Sequence, residues 1–119
     1  MRTLIDANVA IRYLVADDEV AATRAEAILA SRPFLLPEVL CEIVYVLEGV
    51  YGATREELGD TLTLFLDLVE CDIPDIFRDA LALYAAHRKL DFVDCILLAR
   101  HSRDGDDVAT FDKSLSAKL

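Results

Sequence analysis

Short apolar runs alternate with longer helical patterns along the whole chain, and that order restricts the folds open to it. "RTLI" is apolar, ends at Asp6 and reads as a first strand, and "ANVAIRYLV" follows with helical spacing. "DDEVAATRAEAILASR" is a second helix, with Asp17 or Asp18 placed to cap it and Val20, Ala27 and Ile28 near one face. "PFLLP" is a strand bracketed by prolines, and Pro37 suits the first turn of the helix after it. "TREELGDTLTLFLDLV" opens with Thr54 and Glu57 at capping-box spacing and carries an apolar face of Leu58, Leu62, Phe65 and Val69. "VECDI" reads as a further strand, "PDIFRDALALYAAHRK" and "DFVDCILLARHSR" as helices, "DGDD" as a turn and "DVAT" as a last strand. Strands and helices in this order predict an α/β fold with a short, mostly parallel sheet and helices on both faces. The 119 residues contain no linker or repeat and suit one domain over 1–119.

One helix holds an oddity. "VLCEIVYVL", residues 39 to 47, places Glu42 in an otherwise apolar run. The run continues to Tyr51 before Gly52 stops it, which is long for a strand and ordinary for a helix. Its neighbours at i±3 and i±4, Glu38, Val39, Tyr45 and Val46, read as no solvated stripe, so Glu42 is expected to need a special reason to be there. An unpaired buried carboxylate costs several kcal/mol or stays protonated.

In a parallel sheet the ligand site lies beyond the carboxyl ends of the strands. Asp6 follows the first strand and Asp112 follows the last by two residues; Glu42 and Asp94 lie early in helices that start at the same edge. Like carboxylates 4 Å apart repel by roughly 4 kcal/mol at an effective dielectric of about 20. A converging cluster therefore calls for a cation, and oxygen donors select a hard one, Mg²⁺ or Mn²⁺. Such an ion activates water and offsets charge on phosphate, which implies phosphodiester hydrolysis. Each acid has a plainer role open to it. Asp6, Asp91 and Asp112 are placed to cap helices, and Asp94 sits where a helix N-terminus favours a negative charge. Asn8 suits a cap or a loop, and Thr110 suits a phosphate contact or an ordinary strand end. Arg12, Arg100 and Arg103 are candidates for an RNA-backbone contact, though each alone reads better as solvated surface charge.

The formal net charge of −10 argues against a simple phosphate-binding surface. It leaves a solubilising surface or a cation-holding cluster. Cys41, Cys71 and Cys95 are odd in number and widely spaced, which predicts buried free thiols. "MRTLID" lacks the apolar stretch of a secretory signal and no run reaches membrane-spanning length, so a cytoplasmic protein is expected.

These pieces together resemble the PIN-domain ribonucleases, in particular the VapC-type toxins of toxin–antitoxin pairs. The matching stretches are "LIDANVAIRYL", "LPEVLCEIVYVLEGVYG", "LDFVDCILLA" and "VATFDK", in the family's order. The resemblance implies a three-layer α/β/α sandwich and a ribonuclease using Mg²⁺ or Mn²⁺. It implies Asp6, Glu42, Asp94 and Asp112 as catalytic and metal-binding acids, with Asp91, Asn8 and Thr110 in support. It also implies RNA as substrate, a homodimer, and a cognate antitoxin protein as partner. Two departures stand out: the chain stops at Leu119, where family members usually add a short strand, and "RDGDD" is unusually acidic. The rival readings are a PIN-fold module that binds protein without catalysis and a phosphoryl-transfer receiver domain. The second lacks an acid beside Asp6 and the strand-end phosphate acceptor such a domain requires.

Overall fold

The computed structural model describes residues 1–119. Seven α-helices dominate it: α1 (Ala7–Val15), α2 (Glu19–Leu29), α3 (Pro37–Gly49), α4 (Arg55–Phe65), α5 (Pro74–Ala86), α6 (Phe92–Asp104) and α7 (Lys113–Ser116). A single 3-10 turn, Leu66–Leu68, extends α4. The start signals work as the sequence predicts. Asp18 caps α2 through the Ala21 N–H, and Thr54 and Glu57 close a reciprocal capping box on α4. The "VLCEIVYVL" run is helical, entered through Pro37 at its first position.

The central sheet is a correction. Strand pairing reduces to two isolated parallel bridges, Leu4 with Phe34 and Phe34 with Glu70. Four backbone bonds close them: Ile5 N–H to Phe34 (3.3 Å), Phe34 N–H to Thr3 (2.7 Å), Leu35 N–H to Glu70 (2.8 Å) and Glu70 N–H to Pro33 (2.9 Å). Each extended segment is cut short by the chain around it. Asp6 already caps α1, Pro33 has no N–H to donate, Pro37 opens α3 and Pro74 opens α5. "DVAT" forms no strand; Val108 packs against the core and the His101 Nδ1 meets the Asp106 carbonyl at 2.8 Å. The first segment therefore has no strand partner on its outer edge, and Leu4 is half-exposed. The parallel direction survives, so α1 and α3 both begin at the carboxyl edge of the bridges.

With so little sheet, helix packing makes the core. α5 packs most extensively on α6 and also on α4, α1 lies against α2 and α3, and α3 touches α4 and α6. Leu35, Leu40, Ile43, Leu62, Phe77 and Leu81 are fully buried, and no polar or charged residue is. The expected α4 face, Leu58, Leu62, Phe65 and Val69, is buried as a set. On α2 the inward face is Ala25 and Leu29, while Val20 is exposed; the sequence pattern misplaces that face. No helix is long and apolar enough to cross a membrane.

α1 ends without a glycine: Ala16 takes a left-handed conformation (φ 54°) and its N–H bonds the Arg12 carbonyl. A β-carbon costs about 1–2 kcal/mol there, and glycine gives back part of that gain through unfolded-chain entropy. Ala16→Gly is therefore expected to raise stability by about 0.5–1 kcal/mol, read as a higher urea midpoint with an unchanged slope.

Candidate active site

The best-defined acids gather at the start of α6. Asp91 accepts the Asp94 N–H at 2.8 Å, and Asp94 accepts the Asp91 N–H at 3.3 Å, a reciprocal cap. Phe92 and Cys95 are buried beside them and fix the turn. Each cap occupies one carboxylate oxygen (Oδ1 of Asp91, Oδ2 of Asp94) and leaves the other without a protein partner.

Asp112 is built the same way. It caps α7 through the Leu115 N–H at 3.0 Å, and its own N–H donates to the Thr110 hydroxyl at 3.0 Å. Thr110 is thus a side-chain brace that sets the Asp112 backbone. Burial raises the pKa of Asp94 above its ordinary value; the Asp91 N–H opposes this, and the Asp91 and Asp112 carboxylates add to the rise. Asp112, from the far end of the chain, therefore stands within electrostatic reach of the α6 N-terminus.

The remaining predicted acids are placed less tightly. Asp6 caps α1 through the Val9 N–H at 3.1 Å and is exposed at the bridge edge. Asn8 turns its carbonyl to the Arg12 Nε at 3.3 Å, and Arg12 goes on to Asp17 and the Tyr51 hydroxyl. Glu42 is exposed, which overturns its reading as a carboxylate forced into an apolar helix. Glu38, Glu42, Tyr45 and Gly49 form an outward stripe on α3. No three carboxylate, imidazole or thiol side chains stand close enough to grip one metal ion together.

α3 nevertheless reaches this corner. Half-burial raises the Cys41 thiol pKa, and the Asp91 and Glu38 carboxylates add to it. Cys41, one residue before Glu42, is thereby close to the α6 N-terminus. Burial pushes the Cys95 thiol to about 12 and raises Cys71 too, so none of the three is a thiolate at neutral pH. Cys41 and Cys71 are half-buried rather than buried, and all three are unpaired.

Three residues here escaped sequence reasoning. Glu38 adds a carboxylate one turn before Glu42; its i, i+4 spacing is visible in the sequence, but not that the two share an exposed stripe. Glu48 shares a groove of about 450 Å³ with Cys41, Arg55 and Asp91, and its Oε2 is buried without a partner. Arg55 directs one nitrogen at the carbonyls of Tyr84 (3.2 Å), His87 (2.9 Å) and Leu90 (2.6 Å), and lies 3.9 Å over the Tyr84 ring. That clamp ties the end of α5 to the loop feeding Asp91. Nothing local announces it, because the three acceptors are remote in sequence. Hydrogen bonds to a charged group contribute about 1.5–3 kcal/mol, so Arg55→Ala is expected to lower stability by about 2–3 kcal/mol in urea unfolding.

Asp91 and Asp94 are thus presented from the N-terminus of α6, and Asp112 from that of α7. The PIN domain family model matches residues 3–118, and the chain belongs to that family. No curated protein and no solved structure gives a significant match. PIN domains are generally nucleases and typically use divalent metal ions.

The donor set fits such an ion. Magnesium keeps several waters and is usually held by only one or two carboxylates. Asp94 and Asp112 each keep one carboxylate oxygen without a protein partner, and the Asp94 pKa is raised first by burial and then by the neighbouring Asp91 and Asp112 carboxylates. Of the predicted arginines, Arg12 pairs with Asp17, Arg100 with Asp104 and Arg103 with Asp79, so each is spent on a surface ion pair.

Proposed function

We propose that the chain is a metal-dependent endoribonuclease acting as the toxin of a toxin–antitoxin pair. Its carboxylates are Asp6, Glu42, Asp94 and Asp112, with Asn8, Asp91 and Thr110 in support. The observations that support this are the reciprocal Asp91–Asp94 cap, which leaves one oxygen of each carboxylate free, and Asp112, which caps α7 in the same way within electrostatic reach of Asp94.

Asp94 and Asp112 would hold Mg²⁺ or Mn²⁺, and Asp6 would complete the site from the start of α1. The ion, when bound, supplies Lewis acidity toward water and phosphate oxygen. The protein's own part is placement. The Asp91–Asp94 cap and the Thr110–Asp112 brace hold their carboxylates on rigid backbone. Glu42, on the exposed α3 stripe, would bind the metal or orient the attacking water. Water would attack phosphorus directly: a new P–O bond forms as the bond from phosphorus to the leaving ribose oxygen breaks, the water gives up a proton and the leaving oxygen takes one up, with no covalent enzyme intermediate and no role for the RNA 2′-hydroxyl.

The test is Mg²⁺-dependent RNA cleavage by Glu42→Gln and Asp6→Asn. Wild-type rates in both would sink the reading.

The same reading gives the protein a cytoplasmic setting, where free thiols persist, a homodimeric state and an antitoxin partner. An apolar stretch of the α3–α6 groove favours a protein partner: Tyr45 (78 %), Val50 (72 %) and Val93 (51 %) stand exposed along it. That groove also supports the second reading, a PIN-fold module whose role is binding alone. Carboxylate variants that keep partner affinity, in a wild type that cleaves nothing, would favour the second over the first.

A further inference from the structure

The chain carries 22 acidic residues and only three lysines, Lys89, Lys113 and Lys118. All three line one cleft of about 480 Å³, between the loop after α5 and α7, and Arg88 joins them. Ser114 adds a hydroxyl, and no carboxylate lines the cleft. None of these four cations makes an ion pair, and neither do Arg2, Arg24 and Arg55, which lie apart from the cleft; Arg12, Arg32, Arg78, Arg100 and Arg103 are all paired. Four exposed, unpaired positive charges gathered on a protein of net charge −10 are held together against the overall field.

Position gives the cluster its meaning. Leu90 of the cleft is followed at once by Asp91, and Lys113 is preceded at once by Asp112. The two walls of the cleft therefore run directly into two of the crowded carboxylates. We infer that this cleft binds the phosphate backbone of single-stranded RNA and leads the strand to those acids. The inference rests on the ribonuclease reading for its direction, though not for its chemistry. Flexible lysines are point-charge phosphate ligands that suit a repeating anion in any register. An acidic protein segment is the lesser match, because the lining offers little exposed apolar surface to anchor a peptide: Leu90 is buried and the rest is Ala86 and Ala117.

The test is fluorescence anisotropy of a labelled oligouridylate, in EDTA so that no cleavage intervenes, across a salt series. For single strands log K falls with log[salt] at a slope of roughly −0.7 per phosphate neutralised, so four cations give up to about −2.8. The variant combines Arg88→Gln, Lys89→Gln, Lys113→Gln and Lys118→Gln. It is expected to bind at least tenfold more weakly, with a slope near zero. All four positions are exposed, and circular dichroism melting checks that the variant folds. Equal affinity and slope in wild type and variant overturn the cleft, as does a wild type that binds no RNA. Polyglutamate competing as well as unlabelled RNA reassigns the cleft to protein and overturns it too. Salt-dependent binding that the variant loses, in a wild type that cleaves nothing with Mg²⁺, leaves the cleft standing and removes the nuclease reading. Cleavage that depends on Asp94, with binding unchanged in the variant, does the reverse.

Discussion

Asp94→Asn is expected to cut Mg²⁺-dependent RNA cleavage on the order of 10²-fold or more, roughly 2.7 kcal/mol of transition-state stabilisation. The protein should meanwhile become slightly more stable. The asparagine carbonyl can still accept the Asp91 N–H, so the cap on α6 survives. What goes is a charge that burial and the Asp91 and Asp112 carboxylates disfavour. Because the folded pKa of Asp94 lies above its ordinary value, its ionisation in the folded state costs stability. Stability is retained below the unfolded pKa and lost as pH rises through the folded one. The variant's advantage should therefore be full at neutral pH and shrink as pH falls through that window. Activity lost together with a lower melting temperature would mean that Asp94 acts only through the cap.

The second large effect lies in the core. Phe77→Ala is expected to cost about 3–5 kcal/mol of a total stability of about 5–15 kcal/mol. Phe77 is fully buried on α5, in a face that includes Ile76, Ala80, Leu81 and Tyr84. α5 packs more extensively than α3 on both α4 and α6, and no extended sheet shares the load. Urea unfolding should show a lower midpoint at unchanged slope. A loss below about 1 kcal/mol would mean that the neighbouring helices collapse into the space. Since α6 carries Asp91 and Asp94, loosening this packing should also blur the site.

Local signals in the sequence were the dependable ones. The Thr54–Glu57 box, the α4 face and the caps at Asp6, Asp18, Asp91 and Asp112 need only neighbouring residues, and all form. Signals that need a distant partner were not legible. "DVAT" has strand chemistry, yet a strand exists only where another accepts its ladder, and this one stays unpaired. Glu42 was misjudged because Tyr45 and Gly49 were not recognised as surface positions; single exposed apolar residues are normal. Its helix was right and its burial wrong, so the case for Glu42 rests on the approach of α3 to Asp91 and on family membership. The basic cleft was invisible because Arg88–Lys89 and Lys113–Lys118 are separated by the whole of α6, and the net charge pointed the other way.

The acids are claimed to act as one cation-binding site, and calorimetric titration with Mn²⁺ tests this most directly. Wild type should bind, and Asp94→Asn and Asp112→Asn should each weaken binding by at least tenfold, with smaller losses for Asp6→Asn and Glu42→Gln. Wild-type affinity in both Asp94→Asn and Asp112→Asn would contradict the site.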